Sequence, residues 1–408
     1  MRSFFEGHKD SARAACPLPQ AKARSVPSKE STHRPTVYLG MSGGVDSSVS
    51  AVLLKEQGYN VVGVYMKNWS KDLPGMKCPW AEDLADAKRV AVKLGIDFKV
   101  FDFEKDYKQK VVDYMLSEFK KGRTPNPDIM CNQEIKFKLF YEVAREQGAD
   151  LIATGHYARV GWADTSSEGH PQLLRGRSEE PREDGRDERP EEDCIVPTLL
   201  RAVDEDKDQT YFLYRISKEA LAHTLFPIGD MKKPDVKKLA EEKGLKNAYK
   251  KESMGVCFVG DVGMKDFLRE YIEEKPGEIR EIETEKVLGF HDGAIFYTIG
   301  QRHGLNVGGG LPYYVVKKDL EKNIVYVSKN LNEKNLWTSE IELEDLLIRG
   351  ELPKSGEIEI RIRHRAPLIP AKFDEGKVIL KEKIKRPASG QSIVFYLGDT
   401  CLGGGIVK

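Results

Sequence analysis

Apolar side chains recur along this chain at two different periods, and the architecture changes where the period does. Val37-Tyr38-Leu39 is a short apolar run that predicts a buried strand, and Ser47 to Gln57 repeats apolar positions at helical spacing with Gly58 as its stop. Val61 to Met66 predicts a second strand. Glu82 to Leu94 predicts a helix with Leu84, Ala87, Ala91 and Leu94 on one face. Lys99 to Phe103 reads as a strand, Phe137 to Gln147 as a helix, and Leu151-Ile152-Ala153-Thr154 as a strand again. Strands alternating with helices imply an α/β fold built on a doubly wound parallel sheet. Lys232 to Lys243 reads as a basic helix ending at Gly244. From about Gly277 the pattern becomes β-like. In Gly356 to Arg365, Ile358, Ile360 and Ile362 point one way while Glu359, Arg361, Arg363 and Arg365 point the other. Val378 to Leu380, Ser392 to Tyr396 and Gly405 to Val407 add runs between glycine turns, which together predict a small closing β-barrel. The organisation expected is an α/β domain over residues 35–252, a small central domain over 253–330 and a C-terminal β-barrel over 331–408.

Two stretches break the pattern. Trp162 to Pro197 is polar, and from Ser178 to Asp193 it carries nine acidic residues and three arginines, so it reads as a disordered surface insertion. That segment has a net charge of −6 in a chain whose formal charge is zero, which leaves the remainder at about +6 and admits a nucleic-acid partner. The first 34 residues hold seven Lys or Arg against three acids and no hydrophobic signal core. They read as a disordered leader and a possible mitochondrial transit segment, with an unaddressed tail on a cytoplasmic protein as the alternative. No run approaches the roughly 20 apolar residues of a membrane helix, so no membrane partner is expected. The six cysteines, Cys16, Cys78, Cys131, Cys194, Cys257 and Cys401, form no CxxC pair, which argues against a zinc ribbon, and no metal-ligating set is expected.

Chemistry concentrates first in Gly40-Met41-Ser42-Gly43-Gly44-Val45-Asp46-Ser47-Ser48, between a strand and a helix. Glycines let the backbone approach an anion closely, and the amides at a helix start, with the dipole behind them, hold phosphate. Ser42, Ser47 and Ser48 add hydroxyls. Asp46 is an odd neighbour for phosphate unless it helps hold magnesium or orients the loop. The string is not GxxxxGK[ST], so it is not a Walker loop. In an open parallel sheet the ligand lies at the carboxyl ends of the strands, which puts it near Met66.

Two cysteines stand out next. In Gly122-Arg123-Thr124-Pro125-Asn126-Pro127-Asp128-Ile129-Met130-Cys131-Asn132, the prolines disfavour a helix before about Asp128. A helix starting near Asn132 would put Cys131 at its N-terminus, where a thiolate is favoured, with Asp128 in reach as an acid or base. Cys257 lies between glycines in Glu252-Ser253-Met254-Gly255-Val256-Cys257-Phe258-Val259-Gly260, a loop able to swing a sulfur between donor and acceptor.

The loop Ser42 to Ser48 resembles the SGGxDS loop of the PP-loop ATP pyrophosphatases, and the chain, apart from its leader and the insertion, is similar to the tRNA-specific 2-thiouridylases. The residues carrying the likeness are Met66-Lys67-Asn68-Trp69, Thr124 to Phe137, Thr154-Gly155-His156-Tyr157-Ala158-Arg159, Lys207-Asp208-Gln209, Gly255-Val256-Cys257-Phe258 and Thr298-Ile299-Gly300-Gln301-Arg302. Lys251-Glu252-Ser253-Met254-Gly255 and the leader look more like the mitochondrial branch. The resemblance implies a PP-loop, adenine nucleotide α-hydrolase-like domain and an ATP- and Mg2+-dependent 2-thiolation of uridine 34 of tRNA. ATP adenylates O2, and sulfur arrives as a persulfide on Cys257 from a donor protein, a cysteine desulfurase or a relay. Cys131 serves as the second thiol, leaving a disulfide. It also implies nucleotide contacts at Gly40 to Ser47, Met66 and Gly155. The tRNA contacts it implies are Asn126, Pro127, Asp128, His156, Lys207, Asp208, Gln209, Arg363, His364 and Gln391, although His364 stands where the family often has Tyr. For His156 a positioning role is preferred to that of general base. Two other chemistries fit parts of the pattern: another PP-loop tRNA-modifying ligase, which would not need the cysteines, and an iron–sulfur thiolation with Asp128, Cys131 and Cys257 as ligands.

Overall fold

The computed structural model describes residues 34–72, 78–164, 172–173, 195–250, 263–308, 312–330, 332, 334–350 and 352–408. The leader, the acidic centre of the insertion, and Cys16, Cys194 and Cys257 lie outside these residues.

Strand β1 (Thr36–Gly40) pairs in parallel with β2 (Asn60–Lys67), and β2 with β3 (Asp97–Asp102). On the other side β1 pairs with β4 (Leu151–Thr154). The chain then forms an antiparallel hairpin of β5 (Arg159–Asp164) and β7 (Ile195–Leu200), with β6 (Gln172–Leu173) pairing at the end of β5. Strand β8 (Thr224–Leu225) completes a five-stranded parallel sheet in the order β3-β2-β1-β4-β8. Its strands β1, β2 and β4 read as near-continuous apolar runs because helices cover both faces. Val49, Val52 and Leu54 of helix α1 (Val45–Glu56), with Ala87 and Val90 of α2 (Trp80–Leu94) and Val236 and Ala240 of the helix Lys233–Glu242, cover one face. Tyr107, Val111, Met115, Phe137 and Phe140 cover the other.

The central domain is a four-stranded sheet of β9 (Gly277–Glu281), β10 (Val287–His291), β11 (Tyr314–Asp319) and β12 (Ile324–Ser328), ordered β10-β9-β12-β11. Strands β13 (Trp337–Ile348), β14 (Glu357–Arg361), β15 (Ile369–Asp374), β16 (Lys377–Lys385), β17 (Ser392–Leu397) and β18 (Thr400–Val407) form the last sheet. It closes into a six-stranded barrel because β13 also pairs with β18. The expected architecture is therefore present: parallel α/β sheet, small central domain, closed barrel.

Two expectations need correction. The edges of the acidic insertion are ordered strands: Trp162 pairs with Pro197 and Asp164 with Ile195, and the hairpin joins the barrel sheet where Leu200 meets Thr400. The β-branched and aromatic residues at both edges outweighed a composition signal taken over the whole stretch. Strand β14 also stops at Arg361, and Arg365 adopts a positive φ of 62°, so the two-residue alternation does not continue to Arg365.

Candidate active site

The segment after β1 turns sharply into α1. The Met41 amide donates to the Val64 carbonyl at 2.8 Å, which fixes the exit from the sheet. Gly43 has φ of 75°, and a Cβ there would stand 2.4 Å from the Asp83 carbonyl oxygen, so only glycine fits. Hydroxyls stitch the turn together: Ser47 Oγ and Ser48 Oγ donate to the Gly44 carbonyl at 3.2 and 2.9 Å, and the Ser42 amide donates to Ser47 Oγ at 3.3 Å. No side chain caps α1 at Gly44. The helix therefore offers its first amides and its positive dipole end to an anion, and Ser42 stands exposed beside them. Phosphate fits this cradle. Gly155 closes it from the end of β4, since a Cβ there would meet the Ser47 nitrogen at 2.7 Å. Met66, at the end of β2, reaches Gly40, where an added Cβ would stand 2.8 Å from Met66 Cε.

The Asp46 carboxylate is already held by protein groups. Lys233 Nζ donates to its two carboxylate oxygens at 2.7 and 2.8 Å, and the Tyr157 hydroxyl donates to Oδ1 at 3.1 Å. Of the two roles considered for Asp46, orienting the loop fits this arrangement better. Lys233 was missed by the sequence reading. Its helix was visible, but nothing local told which residue 187 positions away its ammonium would meet. Asn247 was missed for the same reason: buried, it donates to the Gly43 carbonyl at 2.9 Å and to Ser48 Oγ at 2.8 Å.

The residues around His156 stand beside the same loop. The His156 imidazole packs against Phe137 and Phe226, and Nδ1 lies 2.8 Å from Thr154 Oγ1. Burial, with the Lys136 ammonium nearby, holds it well below the ordinary imidazole range and hence neutral. A neutral ring fixed in this way suits hydrogen-bond positioning. Gln209 bridges the same turn. Its amide donates to the Tyr157 carbonyl at 2.9 Å, and its side-chain oxygen accepts from the Tyr157 amide at 2.9 Å. Lys207 is half-buried in the same loop.

Helix formation in the cysteine segment begins earlier than expected. Asn126 is the N-cap, its side-chain oxygen accepting from the Asp128 and Ile129 amides, and Pro127 takes the first turn, where its missing N–H costs nothing. Helical structure then runs unbroken to Glu146, with i→i+5 turns from Cys131 to Leu139. Cys131 is therefore one turn inside the helix and only 1% exposed, not at its N-terminus. Asp128 precedes it by three residues and so neighbours it on one face.

All three domains hold the approach to this helix. The Thr124 amide donates to the Ser389 carbonyl at 2.7 Å, Gln391 Nε2 donates to the Thr124 carbonyl at 2.6 Å, and Thr124 Oγ1 lies 3.3 Å from Thr298 Oγ1. Lys318 Nζ donates to the Gly122 carbonyl at 3.0 Å and to the Tyr297 carbonyl at 2.7 Å, and burial brings its ammonium down to about 8. Gln391 thus faces the cysteine segment directly.

The arginines of the barrel edge part company. Arg361 is buried and its Nη1 meets Asp208 Oδ2 at 2.6 Å, with the two side chains 5% and 0% exposed. Asp208 also accepts from Thr210 Oγ1 and the Ala202 amide. The expected outward face of Arg361, Arg363 and Arg365 is corrected accordingly, and Asp208, expected at the tRNA surface, lies in the interior. Paired charges satisfy one another there better than either could alone. Arg363 and Arg365 are exposed. His364 stacks on Phe212 at 4.6 Å, and burial lowers its imidazole to about 4. Cys401 is buried and pushed up to about 11 by burial, and Cys78 is raised in the same way, so both are inert core thiols.

Residues 35–261 match the family described as tRNA methyl transferase HUP domain. Residues 265–329 match its PRC-barrel domain, and 338–407 match the aminomethyltransferase beta-barrel domain. The chain is 44% identical over 381 residues to the tRNA-specific 2-thiouridylase MnmA of Bacillus licheniformis, covering 91% of this chain and 94% of that protein. It is 43% identical over 385 residues to the protein of the same name from Idiomarina loihiensis, covering 91% of this chain and 95% of that one. The Listeria monocytogenes protein of that name is 42% identical over 379 residues, covering 91% and 94%.

Proposed function

Because this chain belongs to the tRNA-specific 2-thiouridylase family, we propose that it is an ATP-using sulfurtransferase that converts uridine 34 of tRNA to 2-thiouridine. Identity above 40% along 91% of the chain, with family models matched over residues 35–261, 265–329 and 338–407, carries this reading. The uncapped start of α1 and the exposed Ser42 support a nucleotide triphosphate there. Mg2+ would come with the phosphates, and no step is assigned to it, because Lys233 holds Asp46.

In this reading O2 of the uridine attacks the α-phosphorus and pyrophosphate leaves. The terminal sulfur of a persulfide on Cys257 bonds to C2, and AMP departs with the oxygen. The Cys131 thiolate then attacks the Cys257 sulfur, the persulfide S–S bond breaks toward the product, and a Cys131–Cys257 disulfide remains for an external thiol to reduce. Cys131 lies in the interior three positions beyond Asp128, which supports a protected second thiol. Asn126 to Asp128 would meet the target base, while Lys207, Gln209, Arg363, His364 and Gln391 would meet the tRNA around it. The donor is a persulfide-carrying protein. The leader, with seven basic and three acidic residues, supports a mitochondrial address. The other ligase chemistry compatible with the loop is not favoured. The test is direct: purified protein with ATP, tRNA and a persulfide donor, with the digested tRNA read by mass spectrometry. Thiouridine at position 34 supports the assignment, and its absence with a competent donor overturns it.

A further inference from the structure

The loop between β7 and β8 touches Asp46 through two separate arms. Along the first, Gln209 grips the Tyr157 backbone by two hydrogen bonds, and the Tyr157 hydroxyl donates to Asp46. Along the second, Asp204 Oδ2 accepts from the Lys233 amide at 2.8 Å, and the Lys233 ammonium lies on both Asp46 oxygens. The Lys207 amide donates back to the Asp204 carbonyl at 3.1 Å, so the arms share one tight turn. The outer side of the turn is tied to the barrel through the buried Asp208–Arg361 pair, two residues before the exposed Arg363. A second tie runs from Arg201 and Arg159 to Asp399.

We propose that Tyr157, Gln209 and Asp204 are positioning residues that couple the tRNA-facing edge of the barrel to Asp46, so that tRNA engagement and nucleotide binding strengthen each other. The inference rests on the tRNA-thiolation reading and adds to it the route by which the two substrates sense one another. An arm that merely braced the fold would need no second, independent contact on the same carboxylate. Here both arms leave one loop and end on the acid of the anion-binding turn. Linkage makes the effect reciprocal: whatever factor tRNA applies to nucleotide affinity, nucleotide applies to tRNA affinity.

The experiment titrates α,β-methylene-ATP, which resists cleavage at the bond in question, into the full-length protein with and without saturating tRNA. The readout is the ratio of the two dissociation constants, in which any purely local loss of nucleotide affinity cancels. For the unaltered protein we expect a ratio of about 5 or more. In Tyr157→Phe and in Asp204→Ala it should fall to less than half of that value, and Asp204→Asn, which keeps an acceptor for the Lys233 amide, should restore most of it. A ratio of one in the unaltered protein overturns the proposal, and so does an unchanged ratio in both Tyr157→Phe and Asp204→Ala. Failure to make 2-thiouridine in a parallel assay would count against the functional reading alone, because the ratio is read from binding.

Discussion

Two ion pairs, Lys233–Asp46 and Arg361–Asp208, flank the turn from Asp204 to Gln209 and differ in how wet they are. In the first, the lysine side chain is 8% exposed and the aspartate 30%; in the second the values are 5% and 0%. The dry pair lies inside the fold, where Asp208 also accepts from Thr210 and the Ala202 amide and the Arg361 guanidinium lies over the Tyr396 ring at 5.2 Å. The half-wet pair lies where α1 opens its amides to an anion, so its carboxylate can be reoriented when a phosphate arrives. Charge pairing in a protein of this kind therefore divides into a fixed joint and an adjustable one, and exposure of the acid tells them apart.

The strongest way to break that distinction is at Asp46. Asp46→Ala releases the anion-binding turn from Lys233 and Tyr157 and should lower tRNA-dependent pyrophosphate release by on the order of 100-fold, as a small misplacement of reacting groups does. Cys131→Ser should still release pyrophosphate with tRNA, yet accumulate no thiouridine over many turnovers. Equal loss of pyrophosphate in both variants would mean that activation and sulfur delivery are not separate steps.

The dry pair should fail by unfolding instead. Arg361→Met leaves a buried, unpaired carboxylate and should cost about 3–5 kcal/mol in a denaturant titration. Lys233→Met should cost less, about 1–2 kcal/mol, because water can reach Asp46. Equal costs would erase the difference between a joint and a hinge point.

How far these features could be read in advance follows from their range. The turn at Ser42 to Ser48 was legible because its glycines, hydroxyls and helix start are contiguous, although the close approach that demands glycine at Gly43 comes from the distant Asp83 carbonyl. The parallel sheet followed from alternating periods. Cys131 lies one turn deeper in its helix than the prolines suggest, because Asn126 caps the helix and Pro127 fits its first turn, so the prolines mark a beginning and not a barrier. Lys233, Asn247 and the inward turn of Arg361 depend on partners 187, 204 and 153 residues away, which no local period encodes.

His364 sharpens the contrast from the side of pH. Burial lowers its imidazole to about 4, while in the unfolded chain it titrates near 6.5. Between those values the unfolded chain binds a proton that the folded chain does not. Stability contributed by the neutral ring is thus complete above about pH 6.5 and is lost as pH falls toward 4. Relative to His364→Asn, the unaltered protein should lose about 1–2 kcal/mol more between pH 7.5 and pH 4.5 in parallel denaturant titrations, less than the full pKa difference because water reaches the ring. Arg363, next to it but exposed, should leave stability alone. Arg363→Ala should instead reduce the slope of log affinity for tRNA against log salt by about 1, with nucleotide binding unchanged. An unchanged slope would make Arg363 a solvated bystander.

The smallest effect is expected at the tip of the β5–β7 hairpin, whose root helps to anchor the coupling loop. At that root Arg159 donates to the Arg201 carbonyl at 2.6 Å and pairs with Asp399 at 2.8 Å, and Leu200 joins Thr400 in the barrel sheet. At the far end, Asp164 and Ile195 stand directly opposite one another in an antiparallel pair. Two such residues can be joined by a two-residue turn, for which Asn-Gly has the favoured backbone. Replacing residues 165–194 by Asn-Gly gives up the pairing of β6 with Ala163 and Asp164 but shortens the connection to two residues, which lowers its closure entropy, so the net change should stay within about 1 kcal/mol. It also removes the acidic run of net charge −6, which would raise the attraction for tRNA modestly at low salt. The measurement is thermal unfolding together with thiouridine yield, each compared with the intact chain. A collapse of either would mean that the hairpin tip carries a role that its root does not, and the division between anchored root and expendable tip would have to be abandoned.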